Sequence, residues 1–330
     1  MTPEQHDYGS GLPPDITGTV ATVGTFDGVH RGHQDVLARL VDRARVTGLP
    51  SLLVTFDPHP LEVVNPAAAP PLLTLAWEKL EVIAESGIEY LAIVPFTPTL
   101  QRYTAEQFVD LVLVERYRVR ELLIGYDHGI GRGREGDADV LRTLGAERGF
   151  AVEVIEAVTL PEGRPISSTT IRRAVAGGDL VRAAQGLGRP YSVGGRVVPG
   201  AQRGRVLGYP TLNLEPVSPR KLLPPEGVYA VRVQTPAGPF GGMMNLGPRP
   251  TFDDSTVTLE AHLFDARSDL YGAWVRVEFV ARLRDTRRFP GAEALRAQLA
   301  LDAQQARRAL TLMEHSGNLH GSPASVSSFP

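Results

Sequence analysis

The chain has 330 residues, which at about 150 residues per domain suggests two domains. Its 34 basic and 37 acidic side chains give a net charge of -3, so it lacks the basic footprint of a dedicated nucleic-acid-binding protein. It has no cysteine, which excludes disulfides, thiolate metal sites and cysteine nucleophiles. No apolar run is long enough to span a bilayer and residues 1–17 lack a signal-peptide pattern, so we expect a cytoplasmic protein without a membrane partner.

The first half of the chain alternates between helix-like and strand-like segments. Helical periodicity follows His33, ends at Gly48, covers residues 75–84 and returns after Thr104. Short β-rich runs lie between these helices, at residues 19–23, 51–56, 90–94, 121–124 and 152–155. Such alternation is typical of βαβ units, and it predicts an α/β domain of Rossmann-like type with a mainly parallel sheet.

The pattern changes after about residue 187. Glycine and proline then separate short β runs, at residues 193–198, 228–233, 242–245, 257–263 and 274–280. This rhythm predicts a small antiparallel β-barrel, followed by a C-terminal helix over residues 292–313. We therefore predict an α/β domain at residues 1–187, a barrel domain at 188–316 and a disordered tail at 317–330.

The strongest local signal is the segment GTFDGVHRGH at residues 24–33, between the first predicted strand and the first helix. In an open parallel sheet, ligands bind beyond the carboxyl ends of the strands, and the N-terminus of the next helix favours phosphate. Gly24, Gly28 and Gly32 let a ligand approach the backbone closely. The segment therefore predicts a phosphate site.

His30 and His33 lie three residues apart, which places them on one face of the first helical turn. Two imidazoles there can donate hydrogen bonds to phosphate oxygens and stabilise the charge that develops during transfer at phosphorus. The same pair can instead contribute to a zinc site, although the sequence offers no convincing third ligand. We favour the phosphate interpretation.

Two further segments each have a plain and a functional interpretation. ISSTTIR at residues 166–172 can begin a helix at Ser168 or Thr169, with Arg172 either solvated or bound to ATP phosphates. GAQRGRVLGYPTLN at residues 200–213 is either a glycine-rich hairpin loop with solvated arginines or a loop that folds over phosphate. It is not a P-loop, because the Gly-Lys-Ser/Thr ending is missing.

These motifs, in this order, resemble those of the bacterial bifunctional riboflavin kinase/FMN adenylyltransferase family, also called FAD synthetases. The resemblance covers roughly residues 18–312. The matching segments are GTFDGVHRGH at 24–33, TFDPHP at 55–60, GYDHGIGRGREGD at 125–137, ISSTTIR at 166–172 and PTLN at 210–213. The family implies riboflavin, FMN and ATP as substrates and Mg²⁺ as the metal.

For the α/β half, the resemblance implies a nucleotidyltransferase domain that transfers AMP from ATP to FMN and releases pyrophosphate. His30 and His33 are then catalytic, and Asp127 makes a polar flavin contact. At residues 128 and 130 this chain has His and Ile where many members carry aromatic residues. His59 either touches the ligand or shapes its loop. The implied nucleotide-binding residues are Gly24, Phe26, Asp27, Gly28, Gly32, Ser168, Thr169 and Arg172.

For the barrel half, the resemblance implies a riboflavin kinase in which Glu260 is the general base for the riboflavin 5′-hydroxyl. By pattern alone Glu260 is instead the exposed side of a strand. Arg284 is either a flavin or nucleotide contact or a surface arginine, and His262 has no assigned role. The implied nucleotide-binding residues are Gly204, Arg205 and Gly208, and the implied Mg²⁺ ligands are Thr211 and Asn213.

Two alternatives to a bifunctional enzyme follow from the same residues. One is a relative in which a single activity survives, and the other is a flavin-binding sensor or storage protein without turnover. The joint presence of His30, His33 and Glu260 favours the enzyme, because a binding protein needs none of these groups for chemistry.

Overall fold

The structure is a computed structural model of the chain. It describes residues 4–5, 12–159, 163–200, 204, 207–215, 218–248, 257–266 and 269–317. The chain divides into two compact units, Met1–Ser168 and Thr169–Pro330. This division precedes the predicted boundary at 187/188, and the helix at Leu180–Leu187 packs against a strand of the second unit, Trp274–Arg284. The boundary at which each half folds alone stays a prediction.

The first unit contains a six-stranded parallel sheet in the order β1-β4-β3-β2-β5-β6, which confirms the predicted α/β class. Its strands are β1 (Glu4–Gln5), β2 (Thr19–Val23), β3 (Ser51–Asp57), β4 (Tyr90–Pro95), β5 (Val119–Gly125) and β6 (Ala151–Ile155). From β2 the chain first adds β3 and β4 on one side, and it then returns to add β5 and β6 on the other side of β2. The strand order therefore reverses at β2. Ligand sites in such sheets form at the carboxyl ends of the strands beside this reversal.

Helices cover both faces of this sheet. They are α1 (Arg31–Thr47), α2 (Pro60–Val64), α3 (Ala76–Ala84), α4 (Ala105–Phe108), which continues as a π-helical segment (Val109–Arg116), and α5 (Ala138–Arg148). One apolar core joins Leu37 of α1 to Leu53 of β3, and the other joins Leu141 of α5 to Leu52. Adjacent residues of a strand point to opposite faces of the sheet, and helices cover both faces. Strands β2 and β3 therefore bury side chains on both faces.

The second unit contains a closed six-stranded barrel in the order β10-β11-β8-β7-β12-β9, with antiparallel pairing throughout. Its elements are α6 (Ser168–Ala176, which begins at the division), α7 (Leu180–Leu187), β7 (Ser192–Val198), β8 (Leu212–Leu214), β9 (Gly227–Thr235), β10 (Gly238–Pro248), β11 (Val257–Leu263), β12 (Trp274–Arg284) and α8 (Ala292–Gly317). The predicted barrel and C-terminal helix are confirmed.

Strand β11 shows how the barrel sorts its side chains. Leu259, Ala261 and Leu263 are buried, whereas Glu260 and His262 on the opposite face are half-buried. Helix α8 packs against strands β9, β10 and β12, and its Leu310 joins Met243 in a separate apolar cluster. Within the part of the chain that the structure describes, no helix has both the length and the apolarity needed to traverse a bilayer.

Candidate active sites in the two units

The segment at residues 24–33 forms a tight loop after the central strand β2 and continues into the first turn of helix α1. Phe26 and Val29 adopt positive φ angles of 49° and 38°, as does Gly28 at 82°. For residues other than glycine this conformation costs about 1–2 kcal/mol each. Both strained side chains are buried, at 3% and 1% exposure, so burial of apolar surface offsets the cost. The fold thus holds this loop in a conformation it would not adopt alone.

Asp27 fixes this loop to the segment that precedes α3. Its carboxylate accepts hydrogen bonds from the Leu73 N–H (3.1 Å), the Thr74 N–H (3.0 Å) and the Thr74 hydroxyl (3.3 Å). The Gly28 N–H donates to the Thr74 hydroxyl oxygen at 2.9 Å, and the Ser168 hydroxyl donates to the Asp27 carbonyl at 2.9 Å. Asp27 therefore shapes the loop through its carboxylate, and Ser168 lies beside the loop, while its predicted nucleotide contact stays a prediction.

His30 and His33 lie together at the N-terminus of α1. Their rings stack with centroids 3.6 Å apart and planes 15° from parallel, and the Phe26 ring packs on His33 at 4.6 Å. His30 caps the helix: its Nδ1 accepts from the His33 N–H at 3.3 Å. An accepting nitrogen carries no proton, so neutral His30 keeps its proton on Nε2, where it can be donated to a ligand. The predicted shared face is confirmed.

Two of the glycines in this segment leave little room for a side chain. A Cβ on Gly32 would lie 3.2 Å from the His30 ring, and one on Gly24 would lie 3.0 Å from the Phe26 ring. Such contacts are tighter than ordinary van der Waals separation. A side chain at either position would require the neighbouring ring to shift by a few tenths of an ångström.

The zinc alternative for His30 and His33 finds no support in the donor set. Among the described residues, no group of three or more His, Asp or Glu side chains converges as a metal site. Thr169 and Arg172, predicted to complete the phosphate site, lie on α6 beyond the division between the units. Their part in the site stays a prediction.

The loop after β5 carries the predicted flavin contact. Asp127 is exposed, and its carbonyl accepts a hydrogen bond from the Arg134 guanidinium. Burial of the His128 ring, reinforced by the charge of Arg134 and opposed by Asp127, lowers the pKa of His128 to about 4. His128 is thus neutral at pH 7. Ile130 is buried in the core of the unit, so this side chain supports the loop.

The contacts of His59 fit the second of its two interpretations, in which it shapes its loop. Its Nδ1 accepts a hydrogen bond from the Leu61 N–H at 3.2 Å and caps the short helix α2. A contact between His59 and ligand stays untested.

One residue of this region has no predicted role. Lys79 of α3 is buried, and its Nζ donates to the Thr25 carbonyl (3.3 Å), the Thr55 hydroxyl (3.1 Å) and the Phe56 carbonyl (3.3 Å). Burial lowers the pKa of Lys79, while Asp27 and Asp57 oppose the shift. The sequence contains a signal for it, because a helical period places Lys79 on the same face as the buried Ile83.

In the barrel, strand register brings three polar side chains into one row. Glu260 of β11 lies opposite Asn213 of β8 on one side and opposite Asn245 of β10 on the other. Directly opposed residues on neighbouring strands point to the same face, with Cβ atoms about 5 Å apart. Asn213 is buried and the other two are half-buried. A carboxylate flanked by two amides is an arrangement suited to binding hydroxyl groups and cations.

Two glycines in the described part of the glycine-rich loop pack closely, one against Asn213 of this row and one against Tyr209. A Cβ on Gly200 would lie 1.9 Å from the Asn213 amide nitrogen, and one on Gly204 would lie 2.1 Å from the Tyr209 carbonyl oxygen. Gly208 has a φ angle of 84°, which favours glycine. Arg205 lies outside the described residues. Packing thus favours glycine at Gly200 and Gly204, and the predicted fold of this loop over phosphate stays a prediction.

His262 links the Pro-Thr-Leu-Asn segment to the strand of Glu260. Its Nδ1 lies 2.8 Å from the Pro210 carbonyl oxygen, and its ring meets the Tyr209 ring edge-on at 5.2 Å. Because a carbonyl only accepts, Nδ1 carries the proton and donates. His262 thus holds the segment that contains Thr211 and Asn213.

Arg284 is engaged within the barrel unit. Its Nε and Nη2 donate to the Asp302 carboxylate of α8 at distances from 2.7 to 3.1 Å, and Asp302 is fully buried. This bidentate pair ties α8 to β12. The predicted flavin or nucleotide contact at Arg284 stays untested.

Comparison with known proteins matches both units. A family model described as FAD synthetase matches residues 12–170, and one described as riboflavin kinase matches residues 187–310. A bifunctional riboflavin kinase/FMN adenylyltransferase from Pseudomonas fluorescens is 40% identical over 297 residues, covering 90% of this chain and 94% of the relative. The corresponding protein of Escherichia coli K12 is 40% identical over 292 residues, with coverage of 88% and 92%.

A solved structure is similar over almost the same extent. It is described as a macrolide-efflux protein from Streptococcus pneumoniae, and it superposes with a TM-score of 0.79 at 29% identity. The match covers 90% of this chain and 95% of that chain. The similarity therefore includes both units.

Proposed function

This chain belongs to the bifunctional riboflavin kinase/FMN adenylyltransferase family, and from its two sites we propose how the residues divide the work. The enzyme has both activities of flavin cofactor synthesis, with ATP as a substrate of each. The unit that matches FAD synthetase converts FMN to FAD, and the unit that matches riboflavin kinase converts riboflavin to FMN. The roles of individual residues below are our proposals.

In the α/β unit, an oxygen of the FMN phosphate attacks the α-phosphorus of ATP and pyrophosphate leaves. This nucleophile is already anionic, so the protein needs no covalent intermediate and no strong base. It must align two anions and offset their repulsion. We assign this task to the N-terminus of α1, to the Nε2–H of His30 and to His33, whose ring is stacked on His30. Thr169 and Arg172 complete the phosphate contacts, and Asp127 contacts the flavin.

In the barrel unit, Glu260 accepts the proton of the riboflavin 5′-hydroxyl as that oxygen attacks the γ-phosphorus and ADP leaves. An alcohol is a poor nucleophile, so a positioned carboxylate accelerates this step. The hydroxyl of Thr211 and the amide oxygen of Asn213 are hard oxygen donors that fit Mg²⁺. When bound, Mg²⁺ neutralises charge on the transferred phosphate. Gly204, Arg205 and Gly208 contact the nucleotide.

One observation carries this division of labour: the paired histidines and the Asn213–Glu260–Asn245 row lie in different compact units. The test is to incubate the protein with riboflavin, ATP and Mg²⁺ and to resolve the flavins by chromatography. We expect FMN to form first and FAD to follow, and we expect FAD from supplied FMN without riboflavin. A single-activity protein stops after one step, and a flavin-binding protein returns riboflavin unchanged.

We place both reactions in the cytoplasm. The chain has no cysteine that would call for an oxidising compartment, and both reactions consume ATP.

A further inference from the structure

The use of lysine in this chain is unusual. Of its 34 lysine and arginine residues only two, Lys79 and Lys221, are lysines, and both are buried, at 7% and 5% exposure. Every exposed side chain of these two types is therefore an arginine. Lysine is confined to two interior positions, where the compact ammonium group and the planar guanidinium group are not interchangeable.

At Lys79 the three donors of an ammonium group are matched by three acceptors. Nζ donates to the carbonyls of Thr25 and Phe56 and to the Thr55 hydroxyl, all between 3.1 and 3.3 Å. In the charged form each of the three N–H groups of the ammonium has its own acceptor. The Thr55 hydroxyl in turn donates to the Thr25 carbonyl at 3.2 Å. The ammonium group and the Thr55 hydroxyl therefore form one network, in which both bind the Thr25 carbonyl and each other.

This network connects the two loops that leave neighbouring parallel strands. Thr25 follows β2 and belongs to the loop that carries His30 and His33, whereas Thr55 and Phe56 end β3. In a planar trans peptide the carbonyl and the next N–H point in opposite directions. By fixing the Thr25 carbonyl, Lys79 also fixes the direction of the Phe26 N–H and the start of the strained turn at Phe26.

We propose that Lys79 is a positioning residue for adenylyl transfer: its ammonium group sets the loop between β2 and α1 so that His30 and His33 meet the phosphates. This inference rests on the proposed function of the α/β unit. Misplacement of catalytic groups by about 1 Å can reduce a rate 10²-fold. We therefore expect Lys79→Met to reduce kcat for FAD formation from FMN at least tenfold, with a smaller change in the KM for ATP.

The enzyme supplies its own control, because riboflavin phosphorylation takes place in the other unit. Lys79→Met should leave this activity within twofold of wild type. Lys79→Arg should not rescue adenylyl transfer, since a planar guanidinium cannot replace the three converging N–H bonds. Lys221→Met is the matched variant that removes the other buried ammonium group, and it should leave the rate of adenylyl transfer unchanged.

A milder pair of variants covers the case in which Lys79→Met does not fold. Thr55→Val removes one acceptor and keeps the lysine, whereas Thr55→Ser keeps the hydroxyl. We expect Thr55→Val to lower kcat for FAD formation several-fold and Thr55→Ser to stay close to wild type.

Chemical rescue tests the charge itself. The chain has no cysteine, so Lys79→Cys would carry a single thiol. Alkylation with bromoethylamine in denaturant, followed by refolding, rebuilds a side chain of lysine length, and iodoacetamide gives a neutral one. We expect FAD formation to return only with the amine, relative to wild type taken through the same steps. The inference is overturned if Lys79→Met and Thr55→Val keep wild-type kcat, or if the neutral adduct rescues equally. If wild type makes no FAD from FMN, the proposed function fails instead.

Discussion

The sites that we propose in the two units are built by different structural means. In the α/β unit, the proposed site is one continuous segment of ten residues at 24–33, which comprises the loop after β2 and the first residues of α1; contacts from β3, α3 and the segment before α3 hold its strained turn. In the barrel, no segment of that length contains the site. Asn213, Asn245 and Glu260 come from three strands and meet through register alone. The geometry of the loop site therefore depends on hydrogen bonds from the elements around it. The geometry of the strand site depends on the pairing of β11 with β8 and β10.

Among the single substitutions considered, we expect Glu260→Gln in the barrel to cause the largest loss of activity. Glu260→Gln keeps the size of the side chain and removes its negative charge, so the general base is lost while the row of amides stays. We expect riboflavin phosphorylation to fall by roughly 10²-fold or more. FAD formation from supplied FMN should not change, and it serves as the control in the same sample. Wild-type kinase activity in this variant would make Glu260 an ordinary exposed strand residue.

The corresponding change in the loop site is His33→Ala. It removes one member of the stacked pair and one donor to phosphate, and loss of such a donor typically costs about 10²-fold in rate. FMN formation from riboflavin should stay near wild type, because the barrel is intact. Normal FAD formation by this variant would contradict the assignment of the histidine pair.

The ion pair between Arg284 and Asp302 tests whether strand β12 supports the barrel or contacts the flavin. Arg284→Met leaves the buried Asp302 carboxylate without its cation, which should cost about 3 kcal/mol of unfolding free energy. Adding Asp302→Leu should recover part of the loss, and thermal unfolding measures both. If the KM for riboflavin rises strongly in Arg284→Met and stays high in the double variant, Arg284 acts on the ligand.

His262 should give the smallest effect of this series. Its hydrogen bond to the Pro210 carbonyl holds the segment of Thr211 and Asn213, and a net bond of about 1 kcal/mol corresponds to less than a tenfold change in rate. His262→Phe should lower kinase kcat/KM several-fold. His262→Asn, which keeps a donor near the position of Nδ1, should retain most of it. Equal loss in both variants would argue against the hydrogen bond.

The same contrast explains what the sequence could predict. The strands and helices of the α/β unit follow from apolar periodicity, and the segment at 24–33 is a contiguous motif, so the stacked histidines could be anticipated from their spacing. Strand β8 was not anticipated, because three residues inside a loop motif are too short to show alternation. The row around Glu260 joins residues separated by up to 47 positions (Asn213 to Glu260), and single-strand patterns contain no register information.

Long-range polar contacts were equally inaccessible from the sequence. Asp27 was expected to contact nucleotide, and the structure shows that its carboxylate accepts hydrogen bonds from Leu73 and Thr74. The sequence predicts no role for Lys79, because a lysine in a helix is ordinarily assigned to solvent. Besides its helical spacing from Ile83, the rarity of lysine in this composition is a sequence feature that distinguishes it.

The most direct test of the central claim, that the barrel unit carries the kinase chemistry by itself, is to express residues 169–330 and assay them with riboflavin, ATP and Mg²⁺. We expect cooperative thermal unfolding and FMN formation, with no FAD from supplied FMN. A parallel piece of residues 188–330, which lacks α6 and α7, locates the folding boundary. Since α7 packs against β12, the longer piece should be the more stable. A folded 169–330 piece with no kinase activity would contradict the account.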